Sequence, residues 1–197
     1  MSAVLQKSSH SSATDMIRAD HSRVLAAFHR YDPSARPAVQ RSLVETICLA
    51  LEIHGEIEEG ILYPAIRDAQ AATVDKSVSE HAEMRRLIAT LRTSDPANAN
   101  YEATFMELMR LVIHHVADEE TKLLPAVDRL PRETLRDLSA RMSKRRAQLM
   151  LQNLGAMASN KVRAAPAFGA ILAGVGLVGI LALRQVAKHR RHRHLGR

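Results

Sequence analysis

HGEIEEGILYPAI, residues 54–66, and HVADEETKLLPAV, residues 115–127, carry the same residue types at the same offsets. Each begins with a histidine, places a glutamate pair four and five positions later, and continues to a leucine, a proline and an alanine. The other periodic positions are apolar, so each stretch reads as a helix that turns an imidazole and a carboxylate toward its own buried side. One such segment is an accident of composition. Two point to a site assembled from two halves.

The repeat extends outward from these motifs. His21 precedes His54 by 33 residues and His81 precedes His115 by 34, and Asp20-His21 is answered by Glu80-His81. Four amphipathic segments carry these residues. The first runs from about Thr14 to Tyr31, with Ile17, His21, Val24, Leu25 and Phe28 on one face, and is ended by DPSARP at 32–37. The second runs from about Ala38 to Ile66, where Pro64 bends or shortens the last turn. The third runs from about Thr73 to Leu91 and is followed by the turn-rich TSDPANAN at 93–100; the fourth runs from about Tyr101 to Val127. Short connections between helices of this length imply antiparallel neighbours, so the expectation is all-α: an up-down-up-down four-helix bundle built by internal duplication of a hairpin. A fifth amphipathic stretch (Leu135, Leu138, Met142, Leu149) caps the bundle or links it to the C-terminal quarter of the chain.

Composition agrees. Ala, Leu, Met, Glu and Arg are good helix formers, Trp is absent, and no region alternates with period two. The net charge of +7 conceals an asymmetry. Residues 1–140 hold 16 Lys and Arg against 21 acids, whereas residues 141–197 hold 12 Lys and Arg and no acid. A mildly acidic body with a basic C-terminal quarter does not fit a nucleic-acid-binding domain. The single cysteine, Cys48, falls in a helical pattern and reads as a small buried apolar residue. Residues 1–11 lack the apolar core of a secretory signal and read as a disordered polar leader.

Residues four apart on a helix lie nearly above one another, so His54 and Glu58 point the same way, as do His115 and Glu119. If both pairs face the bundle axis together with His21 and His81, four imidazoles and two carboxylates converge. Ionised carboxylates in an apolar core are costly unless a cation or donors compensate. Imidazole and carboxylate without thiolate suit iron, manganese or zinc, and six ligands exceed the four of a tetrahedral zinc. They fit two octahedral ions if Glu58 and Glu119 bridge, with positions left open for a small ligand. Glu59 and Glu120 lie about 100° away on the helix, since one turn takes roughly 3.6 residues, and read as supporting or surface groups. Asp20 and Glu80 read as partners of neighbouring groups or as surface charges. His114 is excluded only by the repeat register, and His29 has no repeat counterpart.

The H…HxxxE…H…HxxxE pattern, with a proline ten residues after each HxxxE histidine, resembles the hemerythrin-like HHE cation-binding domain over roughly residues 12–130. The resemblance implies a four-helix bundle holding two iron ions as an oxo- or hydroxo-bridged di-iron centre. It places one iron with His21 and His54 and the other with His81 and His115, Glu58 and Glu119 bridging. Oxygen-carrying hemerythrins have a further histidine beside the third; here the residues four before and after His81 are Ser77 and Arg85. The implied function is a non-haem di-iron protein that binds or senses oxygen, nitric oxide, peroxide or iron. The alternatives are an enzyme acting on peroxide or nitric oxide, or an iron donor for iron–sulfur cluster repair.

Residues 164–183, AAPAFGAILAGVGLVGILAL, contain no charged side chain and would span about 30 Å as a helix, which makes them a candidate transmembrane anchor. Small residues four apart (Gly169/Ala173, Ala170/Gly174) offer a weak dimerisation face. Residues 131–160 read as an amphipathic helix and linker, and the basic tail at 184–197 suits anionic headgroups. The expectation is a membrane-anchored protein whose metal domain is cytoplasmic.

Overall fold

A computed structural model describes residues 12–155. Within them the chain is helical and contains no strand. Helix α1 spans Ala13–Phe28, α2 Pro37–Ile57, α3 Arg67–Thr93, α4 Ala99–Asp118, the short α5 Leu124–Val127 and α6 Arg132–Gln152. The leader at 1–11, the candidate anchor at 164–183 and the tail at 184–197 lie outside the described residues. Among the described residues no helix is long and apolar enough to cross a membrane.

Local chemistry accounts for the helix ends. Ser12 caps α1 with a reciprocal pair: Asp15 N–H donates to Ser12 Oγ at 3.0 Å and Ser12 N–H to the Asp15 carboxylate at 3.1 Å. Pro37 opens α2, where its missing N–H costs nothing. Asn98 caps α4 by accepting from Asn100 N–H at 2.9 Å.

The repeat prolines do more than bend a last turn. The α-helical run of α2 stops at Ile57 and gives way to a π-helical turn over Glu58–Leu62, then a 3₁₀ turn over Tyr63–Ala65. In the second half α4 stops at Asp118, a π-helical turn covers Glu119–Leu123, and α5 follows. Pro64 and Pro125 have no N–H to give to the carbonyl four residues back, and the ring would crowd that carbonyl. Widening the preceding turn relieves both problems, so Tyr63 N–H bonds Glu58 O and Leu124 N–H bonds Glu119 O, each five residues back. Each widened turn therefore starts on the inward glutamate. Helix α3 begins at Arg67, several residues before the expected Thr73, with an irregular residue at Gln70 (φ −138°, ψ 33°).

Helix α1 packs on α2, α2 on α3, α3 on α4, and α4 returns to α1; α6 lies against α1 and α2. The apolar core is split in two. One cluster joins Val24, Phe28, Ile47, Leu51, Leu87, Phe105 and Leu108. The other joins Ile17, Ile57, Leu62, Tyr63, Val74 and Leu123 with Leu138, Met142 and Leu149 of α6. His21, His54 and His81 fall between them along their helices, His21 between Ile17 and Val24 for example, and His115 lies near the end of α4, before Leu123 of the second cluster. Helix α6 is thus a wall of the second cluster rather than a linker, and Arg146 fixes it by pairing with Asp20 on α1 (Nη1–Oδ1 2.9 Å).

Met142 is fully buried beneath α6. Met142→Ala is expected to cost roughly 2–5 kcal/mol in chemical denaturation, the range for truncating a large buried side chain. A change near zero would return α6 to the status of a linker.

Candidate metal centre

The layer between the two apolar clusters gathers the six inward groups expected from the sequence. His21, His54, Glu58, His81, His115 and Glu119 are all buried, the two glutamates with no exposed surface. Two overlapping sets each bring one ligand atom per residue within 4.8 Å of one another: His54, Glu58, His81 and His115, and His21, His54, Glu58 and Glu119. Glu58 Oε2 lies 3.0 Å from His54 Nε2 and 3.4 Å from His81 Nε2. Glu119 Oε2 lies 3.3 Å from His21 Nε2 and 3.5 Å from His115 Nε2. Each glutamate thus faces one histidine from each hairpin. His81 Nε2 and His115 Nε2 stand 3.1 Å apart.

Behind each imidazole stands a carboxylate on the preceding helix of the ring. Glu120 bonds His21 Nδ1 at 3.0 Å, Glu59 bonds His81 Nδ1 at 2.9 Å, and Glu80 bonds His115 Nδ1 at 3.0 Å. Asp20 lies 3.8 Å from His54 Nδ1, too far for a hydrogen bond, and is held by Arg146 and Arg23. These carboxylates turn the Nε2 atoms inward and set the imidazole tautomer, as outer partners of metal-ligating histidines do. Glu59 and Glu120 therefore act on the site from outside it, and Asp20 and Glu80 face it rather than solvent. His114 and His29 are exposed, as their registers implied.

Tyr63 is the residue that sequence reasoning passed over. Its ring is buried, stacks on His81 with centroids 5.8 Å apart, and its hydroxyl donates to Glu119 Oε1 at 2.6 Å and approaches Glu58 Oε2 at 3.2 Å. Burial and the two negative carboxylates push its pKa far up, so the phenol keeps its proton and remains a donor. The repeat places Leu124 at the corresponding position. That mismatch was the available signal.

The electrostatics describe a site short of positive charge. Burial, then the neighbouring Glu119, pushes Glu58 up toward its protonated form. Glu119 is driven below the usual carboxylate range: burial opposes this, but the close approach of His21, the charges of His115 and His54 and the Tyr63 donor outweigh it. His81 is pushed down to about 2 by burial and the His115 and His54 charges, leaving it neutral, the form that binds metal. His54 is raised despite burial because Glu58 and Asp20 face it. Two dry carboxylates resist both being ionised, and a cation between them removes the conflict.

The unpartnered atoms test the fit of a metal. Glu58 Oε1, Glu119 Oε2, His21 Nε2 and His54 Nδ1 are buried without a hydrogen-bond partner. Arg146 Nε, outside the layer, is a fifth such atom; buried polar atoms are almost always satisfied, and here three of the five lie on the facing glutamates and on His21. The donor set of imidazole nitrogen and carboxylate oxygen suits iron, manganese or zinc.

The sequence profile of the hemerythrin HHE cation binding domain matches residues 12–127, which holds all six groups. The chain belongs to this family. A DNA nickase of Nostoc sp. is 29% identical over 114 residues, 57% of this chain. The match spans only 32% of that relative's length. The crystal structure of a hemerythrin HHE cation binding domain-containing protein from Mycobacterium kansasii superposes with a TM-score of 0.63 at 19% identity, covering 73% of this chain and 90% of that one. At that identity the likeness speaks to the fold.

Tyr63→Phe leaves the stacked ring and removes the donor. In metal-free protein it is expected to lower unfolding stability by roughly 1.5–3 kcal/mol, the scale of a hydrogen bond to a charged acceptor. An unchanged urea midpoint would show that the phenol does not hold the carboxylates.

Proposed function

We propose that the chain is a non-haem di-iron protein that binds or senses a small ligand such as oxygen, nitric oxide or peroxide. His21, His54, His81 and His115 would supply imidazole nitrogens, and Glu58 and Glu119 would be shared between two ions. The observation that carries the reading is that Glu58 Oε1, Glu119 Oε2 and His21 Nε2 are buried without a hydrogen-bond partner in the layer where six ligand-type side chains converge. Two adjacent irons, when bound, would supply one-electron chemistry and open coordination positions for a small molecule. The chain's own residues do the rest: the outer carboxylates orient the rings, Tyr63 holds both glutamates, and the apolar clusters on either side keep water out.

Tyr63 also supports a second reading, an enzyme acting on peroxide or nitric oxide, because a protonated phenol stands beside the site. Peroxide turnover by iron-loaded protein no faster than by free iron would remove it. The body's acid excess argues against DNA as a partner, whatever the Nostoc relative acts on. We further propose that residues 164–183 anchor the protein in a membrane with the metal domain cytoplasmic. Fractionation with membranes that is lost on deleting 160–197, with iron content kept, is the expected result.

After iron-replete expression, elemental analysis is expected to find about two irons per chain, as six ligands for two octahedral ions require. Glu58→Ala and Glu119→Ala should lose most of the iron, and His21→Ala or His81→Ala about half, since each histidine serves one ion. Glu59→Ala and Glu120→Ala should retain it with affinity weakened about 10–100-fold, the usual cost of removing an outer partner. One zinc and no iron in the unsubstituted protein would refute the reading.

A further inference from the structure

The two halves of the site differ in how they are closed. A groove of ≈ 460 Å³ runs between α2 and α3, floored by Leu51, Met84 and Ile88, and ends on His81. Two glycines of α2 and its π-helical turn, Gly55 and Gly60, also line it. A β-carbon at Gly55 would stand 3.3 Å from His81 Nδ1, a tight contact that would oblige the ring to give by a few tenths of an ångström, so glycine suits this close approach. A β-carbon at Gly60 would meet nothing within 4 Å. In the second half the repeat register puts Val116 opposite Gly55 and Thr121 opposite Gly60. It also puts Leu25 of α1 opposite Arg85 of α3. The second half therefore carries a valine and a threonine at the two positions that are glycine in the first.

We propose that this groove is the route by which a small uncharged molecule reaches the His81 side of the site. The proposal rests on the small-ligand reading and adds the entry side and the charge class. The charge class is set by the lining. The floor is two branched aliphatic side chains and a thioether, and an ion leaving water for such a surface needs a partner. The rim offers none free. Glu52 is paired with Arg92 at 2.6 and 2.9 Å, Glu56 with Arg145, and Glu59 with both Arg85 at 2.6 Å and His81 at 2.9 Å. An anion meets three carboxylates against the single guanidinium of Arg85, and a cation finds those carboxylates already paired, whereas a neutral diatomic or peroxide loses little hydration on entering. The Glu59–Arg85 pair closes the inner end, because the same Glu59 oxygen that orients His81 is held by a half-exposed guanidinium.

The test uses the full-length, iron-loaded protein and nitric oxide as the probe, monitored by rapid-mixing absorbance. Gly60→Phe puts a ring into open space at the groove, and Glu56→Trp narrows it from an exposed rim position. Both are expected to slow nitric oxide association about tenfold or more, with iron content and the final spectrum unchanged. Thr121→Phe, the repeat equivalent of Gly60→Phe, should leave the rate as it is. Arg85→Ala should raise the rate by loosening the inner closure. Unchanged rates in both narrowed variants, or slowing only in Thr121→Phe, would overturn the route while leaving the small-ligand reading intact. An iron-loaded wild type that does not bind nitric oxide, oxygen or peroxide would instead overturn the reading on which the route rests.

Discussion

Two glutamates with no exposed surface, facing each other across the middle of a helical bundle, are the constraint around which this molecule is organised. An isolated ionised carboxylate in a low-dielectric interior costs many kcal/mol, and two side by side cost more because their charges repel. Helix propensity and apolar packing do not offset this, since both are satisfied equally well by leucine at those positions. The bundle therefore breaks its core into two apolar clusters and gives the layer between them to polar chemistry. Four imidazoles point into that layer, a phenol donates into it, and carboxylates on the helix margins hold three of the rings from behind. Every element makes sense if a compact positive charge occupies the middle.

Much of this was legible in the sequence because one-dimensional spacing maps directly onto helix faces. HxxxE places its two groups on one face, the offset between the halves repeats, and apolar residues flank the histidines at helical intervals. What the spacing did not reveal belongs to three-dimensional contact. Pro64 and Pro125 read as bends in the sequence, but the backbone responds one turn earlier, by widening at Glu58 and Glu119 themselves. Asp20, Glu59, Glu80 and Glu120 look like surface charges on a helical wheel, because each serves a histidine on a different helix. The start of α3 escaped because its first turns are largely exposed and carry no apolar stripe. Tyr63 was visible only as a break in the repeat.

Such breaks matter as much as the repeat. Duplication by itself would give two equivalent halves, each with the same access and the same donors. Tyr63 against Leu124, Gly55 against Val116 and Arg85 against Leu25 make them unequal. One side of the layer gains a proton-bearing donor and a groove. The shared carboxylates need symmetry, since each must face a histidine from both hairpins. Discrimination between ligands needs the opposite. The chain keeps the first in its metal-binding side chains and obtains the second from their neighbours.

The central claim is that the buried layer exists to hold two metal ions, and anomalous diffraction at the iron edge from crystals of iron-loaded protein tests it most directly. The account calls for two peaks about 3.5–4 Å apart, the spacing of ions that share ligands. One should lie against His21 and His54 and the other against His81 and His115, with Glu58 and Glu119 touching both. A single peak, or iron confined to the protein surface while Glu58 and Glu119 remain buried without it, would contradict the account.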